Sequence, residues 1–178
     1  ENLSNINGEF RRGILHRLDR NTSGLLMIAK NNKAHEFLAN QIKEHTITKK
    51  YRAIAKGIIE QDEFEINSPI GRNPNQPHKM AVREDGKPSK TIVKVLERFK
   101  DATYIELTLI TGRTHQIRVH MKSINHPVFN DSLYGAGQGK VKTEEQVLQS
   151  YFLRFTKPFG DEIIELQIEP DEKIQKVL

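Results

Sequence analysis

Residues 16–24 read HRLDRNTSG, which sets one carboxylate, Asp19, among His16, Arg17, Arg20, Asn21, Thr22, Ser23 and Gly24. Three chemistries compete for such a cluster. A calcium loop would use Asp19, Asn21, Ser23 and Gly24 at positions 1, 3, 5 and 6 of an EF-hand, but its twelfth position needs a bidentate Glu and holds Lys30. A hydrolase would use Ser23, His16 and Asp19, but no strand–GxSxG–helix context surrounds the serine, and triad members come from distant segments. The third reading is a plain turn, since Asp, Asn, Thr and Ser are ordinary turn formers.

A second basic cluster, TGRTHQIRVHM, occupies residues 111–121. Gly112 suits a tight turn, and Thr114 can cap a short helix. His115 and Arg118 stand three apart, which places them on one helix face. Arginine grips carboxylate or phosphate in bidentate fashion, and helix N-terminal amides add anion affinity. Zinc does not fit, because His115 and His120 are five apart and no HExxH pattern is present.

The elements that must position these groups are legible in part. GLLMIAK at 24–30 reads as a buried strand. Asn31 or Asn32 caps a helix with Ala34, Phe37, Leu38 and Ile42 on its apolar face. Residues 46–56 form a strand closed by Gly57. Ile105, Leu107 and Leu109, and later Ile164, Leu166 and Ile168, alternate with polar residues as half-buried strands do. Residues 68–90 are rich in Pro and Gly and form a long loop or short hairpin. Pro170 starts a last helix carrying Ile174 and Val177. The expected fold is a single α+β domain spanning 1–178, with a largely antiparallel mixed sheet flanked by short helices and an active-site cleft across the sheet.

The 178 residues, 36% of them hydrophobic, suffice for one core without crosslinks. The absence of Cys excludes disulfides and thiolate metal sites, and no apolar run approaches a membrane span. A cytoplasmic monomer with no membrane association is expected. The chain begins at Glu1 and reads as a fragment with N-terminal sequence missing. Net charge is +5, and residues 72–98 hold seven basic residues against three acidic, a local excess of four. That balance points to a polyanionic partner, or to a solvated basic loop.

Taken together, the segments resemble the RluA-type RNA pseudouridine synthases. Four blocks carry the resemblance in order: HRLDRNTSGLLMIAK at 16–30, KKYRAIAKG at 49–57, HKMAVREDGKPSKT at 78–91, and TGRTHQIRVHM at 111–121 followed by HPVFNDSLYG at 126–135. Two features depart from the family pattern. The stretch QSYFLRFTKPF has Ser150, Tyr151 and Lys157-Pro158 where the family often has His-Ala and His-Pro. The N-terminal strand with its Asn-Lys-Pro-like element is absent.

The resemblance implies isomerisation of uridine in RNA to pseudouridine, with no cofactor, metal or energy source. It implies Asp19 as the essential carboxylate, Arg113 as its ion-pair partner, and Tyr51 as base or stacking group. The target base must leave its stack. His16, Arg17 or Arg20 fills or supports the gap, with Arg20 preferred because it follows Asp19 directly. Lys79, Arg83, Lys87, His115 and Arg118 are the further RNA contacts. Large-subunit rRNA is the first expected partner and tRNA the second. A non-catalytic RNA-binding module is the alternative.

Overall fold

The computed structural model describes residues 3–135 and 145–178. Its centre is a seven-stranded sheet ordered β1-β8-β2-β7-β6-β3, with β9 paired to β8. The strands are β1 (Ser23–Gly24), β2 (Thr48–Lys56), β3 (Glu63–Asn67), β6 (Lys90–Arg98), β7 (Ala102–Leu109), β8 (Leu148–Thr156) and β9 (Ile163–Gln167). Only β1–β8 is parallel, so the expected α+β class with a largely antiparallel mixed sheet is the one observed. A separate hairpin pairs β4 (Ile70–Arg72) with β5 (Met80–Val82) inside the Pro- and Gly-rich stretch. Three helices complete the fold: α1 (Asn32–Lys43), α2 (Gln116–Ser123) and α3 (Glu172–Gln175). Among the described residues no helix is long and apolar enough to cross a membrane.

The central strand β2 shows how the sheet divides its two faces. Tyr51, Ala53 and Ala55 join Val93, Ile105, Leu107 and Leu148 in one cluster, on which Ile117 and Met121 of α2 pack. The interposed Ile54 points the other way, toward Tyr104, Phe129, Val147 and Ile174 of α3. This is the period-two alternation that the pleat requires. A register shift beside Tyr51 sets that residue opposite Ser150 and leaves Tyr151 as the extra residue of the bulge. Bulges of this kind re-aim side chains near functional sites.

Capping follows the sequence at α1, whereas at α3 the cap is Asp171 and the Pro170 expected to start the helix lies just before it, and at α2 another residue takes the expected cap's place. Asn31 Oδ1 accepts from the Ala34 amide at 2.9 Å, and Asp171 Oδ1 accepts from the Ile174 amide at 3.0 Å. At α2 the expected cap, Thr114, is displaced by His115, which takes a left-handed conformation with φ of 56° and makes no capping bond. Instead the Gln116 carboxamide folds back, accepting from the Arg113 amide at 3.0 Å and from Thr111 Oγ1 at 2.7 Å.

The expected strand over 24–30 is the larger difference. Only Ser23–Gly24 is strand, because farther along the same edge of β8 is occupied by β9 from Phe152 to Thr156. The chain after Gly24 leaves the sheet and runs extended past Gly13, whose carbonyl accepts from the Ala29 amide at 2.8 Å. Met27 and Ala29 are nonetheless buried, as the apolar run demands.

Gly24 lies at the departure point with φ of +120°, and a Cβ there would overlap the Ser150 carbonyl. Backbone cannot yield as a side-chain tip can, so Gly24→Ala should destabilise the domain by about 3 kcal/mol or more. Urea denaturation of parent and variant measures this.

Candidate active site

The loop from His16 to Thr22, the start of β2, the end of β7 and the turn into α2 enclose a cleft of about 420 Å³. Asp19, Tyr51, Arg113 and His115 all line it, so one cleft gathers groups that the chain spreads over about a hundred residues.

Each is held by a specific local feature. The Asp19 loop closes on itself through the Thr22 amide, which donates to the Asp19 carbonyl at 3.0 Å. Gln146 Nε2 donates to the Arg20 carbonyl from the far side. His16 anchors the loop's entrance, its Nε2 accepting from the Met27 amide at 3.0 Å. That bond requires a neutral ring. Burial lowers the His16 pKa to about 4, the Lys49 charge adds to the fall, and a backbone bond with Arg17 opposes it.

The partner of Asp19 is Arg118. Its Nη1 lies 3.6 Å from Asp19 Oδ2. The same guanidinium is fixed by Asp131, with Nε at 2.7 Å from Oδ2 and Nη2 at 2.8 Å from Oδ1. Asp131 is fully enclosed, and its Oδ1 also accepts the Leu133 and Tyr134 amides at 3.0 and 3.1 Å. Such a fork holds a planar guanidinium in one orientation.

Arg113, the expected ion-pair partner, lies on the loop before α2. Its Nε donates to the Pro88 carbonyl at 3.1 Å, and it forms no ion pair with Asp19. The left-handed turn at His115 ends that loop, and the helix that follows carries Arg118 to Asp19. Sequence gave both arginines anion-binding character. Asp131 was missed, because NDSLYG signals only a turn.

Tyr51 is buried beside Ser150. Burial pushes its hydroxyl up to about 12, the Ser150 hydrogen bond draws it down, and the Asp19 charge adds to the rise. A phenol that holds its proton so tightly is a poor base at neutral pH. What the geometry offers is a ring face and a hydroxyl donor.

The remaining expected contacts separate by position. Arg17 is exposed and lines the cleft, whereas the exposed Arg20 stands outside the lining. His115 Nδ1 and the Tyr134 hydroxyl are 2.8 Å apart, and that hydroxyl accepts the Met80 amide at 3.0 Å. Tyr134 thereby fastens the β4–β5 hairpin to the head of α2. On the hairpin side, Arg83 is gripped by Asp85 through bonds of 2.7 and 2.6 Å, so its charge is already matched. Lys79 and Lys87 form no ion pair among the described residues.

The chain matches the RNA pseudouridylate synthase family over residues 1–123. It is 45% identical over 176 residues to an uncharacterized RNA pseudouridine synthase, YlyB, of Bacillus subtilis, covering 99% of this chain and 58% of that protein. It is also 45% identical over 168 residues to ribosomal large subunit pseudouridine synthase D of Neisseria meningitidis serogroup B, covering 88% of this chain and 45% of that one. The chain thus spans about half the length of these curated relatives. The solved structure of human RNA pseudouridylate synthase domain containing 1 superposes with a TM-score of 0.77 at 32% identity, covering 88% of this chain and 68% of its own. Human RNA pseudouridylate synthase domain containing 4 shares the fold, with a TM-score of 0.76 at 19% identity over 96% of this chain and 78% of its own.

Two stability predictions follow from the site's geometry. Arg118→Met leaves Asp131 enclosed without its cation and should cost about 3–5 kcal/mol. Arg113→Met, which removes only an exposed contact to a carbonyl, should cost about 0.5 kcal/mol or less. Denaturant midpoints of the two variants rank them.

His16 makes stability depend on pH. The folded ring holds its proton less tightly than the unfolded one, so the unfolded state gains protons first as pH falls. Stability is full above about 6.5 and declines toward 4, by on the order of 3 kcal/mol in all. His115 and His120, both also lowered by burial, act with the same sign. His16→Gln, whose carbonyl can accept the Met27 amide, should flatten a denaturation series between pH 7 and 4.5.

Proposed function

The chain belongs to the RNA pseudouridylate synthase family, and on that premise we propose that it is the catalytic domain of an isomerase that converts uridine in RNA to pseudouridine. Large-subunit rRNA is the first candidate substrate and tRNA the second. The enzyme acts as a cytoplasmic monomer.

The observation that carries this reading is Asp19 itself. It stands in a cleft of nucleoside size, only partly exposed, beside a guanidinium that Asp131 has already oriented. The reaction needs a carboxylate at the ribose, either to bond C1′ or to act on the sugar so that the base departs. Arg118 keeps that carboxylate aimed without neutralising it fully, because its closer bonds go to Asp131. Tyr51 presents a ring face on which the extruded uracil can stack, with a hydroxyl able to donate to it.

Access to the cleft requires the target nucleotide to leave its helix. Arg17, exposed at the cleft, is better placed than Arg20 to occupy the gap. Lys79 and Lys87 on the hairpin are the candidates for backbone phosphate, with Tyr134 fixing their distance from the site.

A non-catalytic RNA-binding module would bind through the same basic surface but would not depend on Asp19. Tritium release from RNA labelled at uridine C5 separates the two. The parent should release tritium, and Asp19→Asn should bind RNA with unchanged affinity while losing turnover by on the order of 10⁴-fold. Turnover of the variant within roughly tenfold of the parent would remove Asp19 from its role.

A further inference from the structure

Lys49 is a cation in the cleft that nothing claims. It stands on β2 two residues before Tyr51, so both side chains leave the same face of the sheet about 7 Å apart, and both line the cleft. Its ammonium lies against the turn into α2, where a Cβ added to Gly112 would meet Nζ at 3.3 Å. Among the described residues its ammonium forms no ion pair and no hydrogen bond. Leu15, Ile47 and Leu109 contribute apolar wall to the same cleft. Burial draws the Lys49 pKa below the ordinary lysine range. A half-desolvated ammonium without a counter-ion is unfavourable, and an anion placed beside it recovers that cost.

The other cations of the cleft are the exposed Arg17 and Lys43 and Arg113, which is tied to the Pro88 carbonyl, while the buried cluster around Asp19 supplies the opposite charge. Asp19, Arg118 and Asp131 carry two formal negative charges against one positive. Tyr51 and His16 are neutral, as their shifted pKa values require. In the isomerisation the N1–C1′ bond breaks and its electron pair leaves on N1. The detached base is then a uracil anion with charge spread over N1, O2 and O4. Its C5 next bonds to C1′, the C5 proton departs, and N1 gains a proton, so no oxidant or reductant enters. Close to the acidic cluster, that anion needs a cation on its other side.

We propose that Lys49 is a catalytic residue for this reaction, its ammonium holding the detached uracil anion against the net negative charge of the Asp19–Arg118–Asp131 cluster. The inference rests on reading the cleft as a uridine site. Backbone phosphate is the other anion that Lys49 could meet. Arg17 and Lys43 already line the cleft from exposed positions suited to phosphate, whereas Lys49 lies inside, one pleat from Tyr51.

The test uses the full chain and unmodified large-subunit rRNA transcribed with uridine tritiated at C5. Single-turnover rates at saturating RNA, and binding across a salt series, are measured for parent, Lys49→Met and Lys49→Arg. Lys49→Met should bind RNA with the parent's affinity and salt slope but react about 100-fold more slowly. Lys49→Arg should recover most of that rate and keep it to higher pH, because guanidinium does not lose its proton there. If Lys49→Met instead weakens binding and lowers the salt slope by about 0.7 with its saturating rate intact, Lys49 holds phosphate and the proposal fails. A Lys49→Met rate within about threefold of the parent, with unchanged binding, overturns it as well. A parent that releases no tritium overturns the proposed function itself, and this inference with it.

Discussion

Arg118 sits between two carboxylates at unequal distances, and much of the site follows from that inequality. Asp131 takes the guanidinium in a closed fork at 2.7 and 2.8 Å, while Asp19 stands at 3.6 Å. A buried charge left alone is costly, so the Asp131 bond is what allows Arg118 to lie in the interior at all. Asp131 is in turn held by two backbone amides of the turn that leads to Tyr134. The result is a cation whose orientation does not depend on Asp19. Asp19 can therefore engage a substrate without the arginine collapsing onto it.

The same economy extends outward through Tyr134. Its ring lies 5.1 Å from the Arg118 guanidinium, its hydroxyl meets His115, and that hydroxyl also accepts the Met80 amide. The hairpin packs on α2 through Ile70, Val119 and Tyr134. A basic hairpin and a carboxylate loop, distant in sequence, thus share one rigid reference. Under the proposed function, RNA gripped at Lys79 or Lys87 would meet the cleft at a fixed offset, which is what positioning contributes to catalysis.

Neutral groups near the carboxylate matter as much as charged ones. Burial keeps His16 unprotonated and Tyr51 protonated over the physiological range. Neither compensates the net negative charge of the acidic cluster. Of the other cations lining the cleft, Arg17 and Lys43 are exposed and Arg113 is tied to the Pro88 carbonyl, which leaves Lys49, although in sequence it is one of two adjacent lysines with nothing to distinguish them.

What the sequence determined by itself was local or compositional. A capping Asn at 31 or 32, the alternation of Ile105, Leu107 and Leu109, the turn-forming hairpin and the blocks around Asp19, Tyr51 and Arg113 are written in short windows, because caps, pleats and turns depend on neighbouring residues. Tertiary structure decided which groups meet. GLLMIAK carries a strand's composition, yet β9 occupies the edge of β8 it would have extended, and no local pattern reveals that competition. Arg113 and Arg118 look alike in sequence; only the left-handed turn at His115 sends one toward Pro88 and the other toward Asp19. Asp131 reads as a turn residue until the fold encloses it against Arg118. Pairing between charges depends on distance and burial, and both come into being only when the chain closes on itself.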